Sequence, residues 1–183
     1  MRILEKIADK PMVRYIIRGL IDGTLSTLGV VIGASGADSH IIISAGLGGG
    51  LANGLSNILG AFTAEKASLE RERINMERKL VKNHGYLKKS LIYKNALKDT
   101  MICGVIDGIS TTLGSALPVL PFFFLKPNVA LYVAIGITVG LLFLLGIFIG
   151  KISKENLLIS GTKMVVGALL VSFLCFIIEN IFS

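Results

Sequence analysis

Apolar residues fall in five long runs, at roughly 15–36, 41–62, 97–124, 129–150 and 160–182. Each is close to the ~20 residues a helix needs to cross a hydrocarbon core. Polar residues gather between the runs, so the pattern predicts an all-α membrane protein with five transmembrane helices. The first fourteen residues, MRILEKIADKPMVR, alternate charged and apolar positions and contain no continuous apolar stretch. They predict a short amphipathic helix at the membrane interface rather than a secretory signal. The segment after the second run, TAEKASLERERINMERKL, has helix-forming composition and is predicted to extend that span beyond the membrane.

The runs pair into a duplication. Gly19, Ile21, Asp22, Gly23, Thr27, Leu28 and Gly29 recur as Gly104, Ile106, Asp107, Gly108, Thr112, Leu113 and Gly114. One residue out of register, Gly50, Gly54, Leu55, Leu59, Gly60 and Phe62 recur as Gly136, Gly140, Leu141, Leu145, Gly146 and Phe148. The predicted organisation is an amphipathic segment (1–14), a two-span repeat (15–62), a helical insertion (63–96), a second two-span repeat (97–150), and a loop with a fifth span (151–183). The two repeats run parallel about an axis along the membrane normal.

Composition agrees with a membrane protein: hydrophobic residues are 52% of the chain and the mean hydropathy is +0.73. The distribution of the net charge of +7 says more than its size. Lysine and arginine number five through Arg18, ten over 63–100 and three over 151–163, against Lys126 alone in the two other loops. This predicts a cytoplasmic N-terminus and insertion, and a C-terminus outside. Cys103 and Cys175 lie in apolar runs and read as small buried hydrophobes. Two histidines, His40 and His84, are too few for a histidine-based metal cage.

Asp22 and Asp107 are the residues that ask for chemistry. A carboxylate in hydrocarbon needs a water-filled cavity, a partner or a proton. Parallel repeats place the two at matching heights, where they could bind a divalent cation or share a proton. Alternatively, each satisfies itself on neighbouring hydroxyls such as Ser26, Thr27, Thr111 and Thr112. In span 2, Gly46, Gly50 and Gly54 form a small stripe suited to close helix packing. Asn53 and Asn57, also one turn apart, could offer oxygens to an ion or amide bonds to a neighbouring helix. Pro118 and Pro121 break the end of span 3 and free upstream carbonyls.

On the helical insertion, Glu65, Leu69, Glu72, Met76 and Leu80 share one stripe, with Glu70 and Glu77 on a neighbouring face. A solvated helix with internal ion pairs accounts for the pattern. A carboxylate–thioether surface that gathers divalent iron or manganese also accounts for it.

At DGTLSTLGVVIGASGA, ANGLSNILGAF and GSALPVLPFFF, over nearly the whole chain, the sequence resembles the vacuolar iron transporter family. The resemblance implies a five-span dimeric carrier that exports Fe2+ or Mn2+ from the cytosol in exchange for protons. It makes Asp22 the transport-site acid. The family's second span typically reads Leu-Ser-Met and then Gly-Glu-Tyr; here Leu55, Ser56, Asn57 and then Gly60, Ala61, Phe62 stand in those places. The insertion is shorter than the family's glutamate-rich domain, and Asp107 is an additional acid.

The expected transport set is therefore Asp22, Asp107, Asn53 and Asn57, with Glu65, Glu70, Glu72, Met76 and Glu77 gathering metal. Expected partners are a divalent metal as substrate, protons, lipid and a second copy of the chain, with no nucleic acid and no cofactor. A non-transporting membrane scaffold and a carrier of a small organic solute are the alternatives. An enzyme is the least expected, since no nucleophile–base set appears and GLGGG follows no strand.

Overall fold

Each apolar run is bounded by residues that start or stop a helix, and five long helices result: α1 Pro11–Gly33, α2 Ser39–Lys79, α3 Leu91–Val119, α4 Pro127–Ile152 and α5 Leu157–Phe182. A computed structural model describes residues 11–182, and among these there is no strand. Prolines stand at the first position of α1 and α4, where a missing N–H leaves no bond unmade. Ser90 caps α3, its Oγ accepting from the Tyr93 N–H at 3.2 Å. All five helices are long and apolar enough to cross a membrane.

The helices begin earlier than the apolar runs: α1 at residue 11 and α3 at residue 91. Hydropathy marks what can sit in lipid, whereas helix formation continues through Lys94, Lys98 and Asp99, which keep good backbone geometry in water. Of the amphipathic segment predicted over 1–14, the first ten residues lie outside those described, and the last four form the first turn of α1. The α2 extension is as predicted. At 41 residues this helix is ~60 Å long, about twice a hydrocarbon core.

Packing centres on α3, with α1 and α2 laid against it through glycines. A methyl group added to Gly23 would stand on the Thr111 carbonyl, 2.9 Å from the Ser115 nitrogen. One added to Gly114 would stand 2.6 Å from the Leu20 carbonyl oxygen. The stripe of Gly46, Gly50 and Gly54 faces Val119, Ser115 and Thr112, so close approach is its use. The second hairpin does not copy this packing. Gly136 and Gly140, the repeat counterparts of Gly50 and Gly54, face open space, and α4 packs on α5 through Gly146, Gly150 and Gly161.

Pro118 adds a polar link to the α1–α3 crossing. Having no N–H, it cannot bond the carbonyl of Gly114 four residues back. The hydroxyl of Thr24 on α1 reaches that oxygen at 3.2 Å while also bonding its own Leu20 carbonyl at 2.6 Å. Pro121 then tightens the chain into a 3-10 turn over Leu120–Phe123. Past this end, Val31, Ile42, Val119, Phe122, Ala130 and Ala134 form a buried apolar cluster.

Candidate functional site

Asp22 is the twelfth of the 23 residues of α1, ~16 Å from either end of the helix. The Gly50–Gly54 contact with α3 draws α2 in close and turns Asn53 and Asn57 toward α1. Both amides donate to the same carboxylate oxygen, Asp22 Oδ2, Asn53 from 3.1 Å and Asn57 from 2.7 Å. Asn53 also reaches Ser26 Oγ at 3.0 Å, and Asn57 reaches Thr111 Oγ1 at 2.9 Å. Among the described residues, no lysine or arginine pairs with Asp22. The cluster is half-buried between α1 and α2, with Ser26 exposed.

Asp107 has a different environment. Its side chain is 0% exposed, and its carboxylate pairs with the guanidinium of Arg18, one turn before Asp22 on α1. The contact uses both carboxylate oxygens, with Arg18 Nε 3.3 Å from Oδ1 and Nη2 on Oδ2. It depends on close helix approach, since a methyl group on Gly19 would collide with the Asp107 carbonyl and lie 2.8 Å from Ser110 Cβ. Arg18 also lies over the Tyr15 ring, 5.1 Å from its centroid. The Tyr15 hydroxyl in turn donates to Glu65 Oε1 at 2.8 Å, linking α1 to the α2 extension.

The two acids thus meet through intermediaries. Asn57 joins Asp22 to the Thr111 hydroxyl, which donates to the main-chain carbonyl of Asp107 at 2.9 Å. The nearby hydroxyls do not cap the carboxylates: Ser26 donates to the Gly23 carbonyl at 3.2 Å, and Thr112 to that of Gly108 at 3.0 Å. Arg18 is the member that span counting misses, because it reads as one more positive charge in the flank. The spacing Arg18–Asp22 puts both on one helix face inside the repeat and so points to Asp22, not to Asp107, the partner it has.

The acidic residues of the extension divide into two groups. Glu70 and Glu77 hold structure together around Arg73, which is 4% exposed. Arg73 pairs with each glutamate at 2.7 Å. Glu77 also accepts the backbone N–H groups of Gly85 at 2.9 Å and Leu87 at 2.8 Å, and Tyr93 donates to Glu70. Burial alone would push the Glu77 carboxyl up; the two backbone donors and Arg73 outweigh it and bring it down to about 2. The Tyr93 hydroxyl and Arg73 lower Glu70 as well. Glu65, Glu72 and Met76 stand exposed. Among the described residues, no three His, Cys, Asp or Glu side chains gather closely enough to cage a metal. Cys103 and Cys175 are free thiols, the first buried.

An uncharacterized protein of Methanocaldococcus jannaschii is 70% identical over 181 residues, covering 98% of this chain and 95% of its own. The sequence pattern of the VIT family matches residues 13–94 and 80–179, which together span both repeats and most of the fifth helix. The chain therefore belongs to the VIT family, the vacuolar iron transporters, and is an integral multi-pass membrane protein.

Proposed function

We propose that this protein carries a divalent metal ion, Fe2+ or Mn2+, out of the cytosol in exchange for protons, with Asp22 as the transport-site acid. The observation that supports this best is the pairing of Asp22: a carboxylate midway along a spanning helix, met by two amides and by no cation among the described residues. An amide can present either its N–H or its oxygen. With the N–H groups turned in, Asn53 and Asn57 compensate the negative charge. Rotated about Cγ, they would set two neutral oxygens beside the carboxylate, a hard-donor set suited to Mn2+ or Fe2+. The rotation that removes N–H support from the Asp22 carboxylate would thus be coupled to arrival of the ion.

One carboxylate and two amides do not complete a coordination shell. The exposed Ser26 hydroxyl lies beside them and water would supply further oxygens, and a second copy of the chain against the half-exposed α1–α2 face would cover the cluster from lipid. The lysine and arginine bias supports an orientation with the N-terminus and the α2 extension in the cytosol and the C-terminus outside. In that orientation Glu72 and Met76, with the second carboxylate oxygen of Glu65, are the exposed groups that could gather metal, since Glu70 and Glu77 are committed to the turn after α2.

Proteoliposomes loaded with a metal-sensitive dye test the reading. Asp22→Asn is expected to abolish Mn2+ flux together with its pH dependence, and unchanged flux would refute the assignment. A carrier of a small organic solute is the second reading, favoured by the amide- and hydroxyl-rich lining and the lack of a three-acid cage among the described residues. In that case flux of the solute would be indifferent to added Mn2+.

A further inference from the structure

We infer that Arg18 is a tethered counter-cation, which holds Asp107 while the metal site is unloaded and must leave it for a divalent ion to be bound with full charge compensation. The inference rests on the metal-carrier reading above and adds to it the group that competes with the ion. It starts from an asymmetry. Asp107 is fixed, being wholly buried in α3 with Gly19 of α1 pressed against its carbonyl. The Arg18 side chain is 58% exposed and enters from the edge of the bundle. Of the two partners, the arginine is the one able to move, since its long apolar stem can redirect the charged head toward the interface.

Charge decides what the movement does. With Arg18 in place, the two acids and one guanidinium sum to −1, and a divalent ion would leave the cluster at +1 inside the membrane. With Arg18 withdrawn, the acids sum to −2 and match the ion. Uncompensated charge in a poorly solvated setting is what such a site must avoid. A destination for Arg18 lies close by. It already stacks over Tyr15, whose hydroxyl is bonded to the exposed carboxylate of Glu65, so a swing along that ring exchanges one acid for another. A contiguous route also joins the two acids. Rotation of Asn57 away from Asp22 disturbs the Thr111 hydroxyl, which is bonded to the main chain of Asp107.

Mn2+ binding to the purified full-length protein in detergent, followed by loss of the free-ion paramagnetic resonance signal, provides the test. Arg18→Gln is expected to bind Mn2+ about tenfold more tightly than the native chain, within the usual range of site–site coupling. Arg18→Lys, which keeps the charge but not the two-pronged contact, should fall between them. Since Arg18→Gln leaves Asp107 unpaired, the Arg18→Gln/Asp107→Asn double variant provides a chain with no lone buried charge. Compared with Asp107→Asn alone, it should show a gain of less than about threefold, because the competition has been removed. If Arg18→Gln binds Mn2+ no more tightly than the native chain while Asp22→Asn loses binding, the pair is a static brace and the inference fails alone. If neither the native chain nor Arg18→Gln binds Mn2+, the metal-carrier reading fails and this inference with it.

Discussion

Thr24→Val examines the link between a proline in one helix and a hydroxyl in another. Valine keeps the shape of the fully buried threonine and removes only the donor. The Leu20 carbonyl keeps its ordinary helical N–H partner, so the group left wanting is the Gly114 carbonyl, already without a helical donor because of Pro118. A net hydrogen bond contributes roughly 0.5–1.5 kcal/mol in proteins. Side-chain bonds between membrane helices average nearer 0.6 kcal/mol, with a maximum of about 1.7 kcal/mol. The 3.2 Å contact, with its proton shared, belongs in the middle of that range, and a loss of about 1 kcal/mol is expected. The sharper expectation concerns Pro118→Ala, which returns an N–H to the Gly114 carbonyl. In that background Thr24→Val should cost less than about 0.3 kcal/mol, the level at which independent sites add. Equilibrium unfolding by SDS in mixed micelles, read by circular dichroism, gives all four corners of the cycle. Equal costs of Thr24→Val with and without Pro118 would refute the account of why the hydroxyl is there.

Two further outcomes follow from the packing and the extension. Gly23→Ala puts a methyl group on the backbone of α3, which cannot step aside, and should destabilise by about 3 kcal/mol, the upper end of overpacking costs; Gly136→Ala, which meets open space, should stay within about 0.5 kcal/mol in the same SDS titration. The Glu77 carboxyl sits at about 2 in the folded chain against an ordinary value of 4.5, so its contribution is present above pH ~4.5 and is lost as the pH falls toward 2. Hydrogen exchange at the Gly85 and Leu87 amides should therefore accelerate as the pH falls from about 4.5 toward 2, beyond the intrinsic trend, and in Glu77→Gln it should be fast already at pH 6 and show no step. A step that persists in Glu77→Gln would assign it to Glu70 instead.

Much of the architecture was legible because lipid imposes a strong filter: twenty apolar residues in a row have few other uses. The helical starts were less legible, since the first turns of α1 and α3 are polar and hydropathy is silent about helix beyond the membrane. The grouping of Asn53 and Asn57 with Asp22 could be anticipated from their one-turn spacing on a helix that a glycine stripe brings close. The partner of Asp107 could not be read from spacing, because the contact spans 89 positions and depends on the Gly19 crossing. Arg73 was missed for a related reason. Its burial comes from the turn after α2 folding back on the helix, and no periodicity within α2 announces that.

The duplication explains why two identical motifs have unlike partners. Under the register that maps Asp22 onto Asp107, Arg18 maps onto Cys103, so only the first repeat carries a cation one turn before its acid. Under the register that maps Gly54 onto Gly140, Asn53 and Asn57 map onto Val139 and Phe143, so only the first hairpin carries amides. All the compensating groups therefore come from the first repeat. Its arginine crosses to the acid of the second, and its amides remain with its own acid. A symmetric pair of bare carboxylates at this depth would be forced to share a proton or bind a cation at all times. Dividing the compensation between a full charge and two dipoles leaves one acid closed and the other answerable to whatever approaches. A carrier that alternates between loaded and unloaded states would need that inequality, and the absence of an arginine and of amides at the matching positions of the second repeat is sufficient to create it.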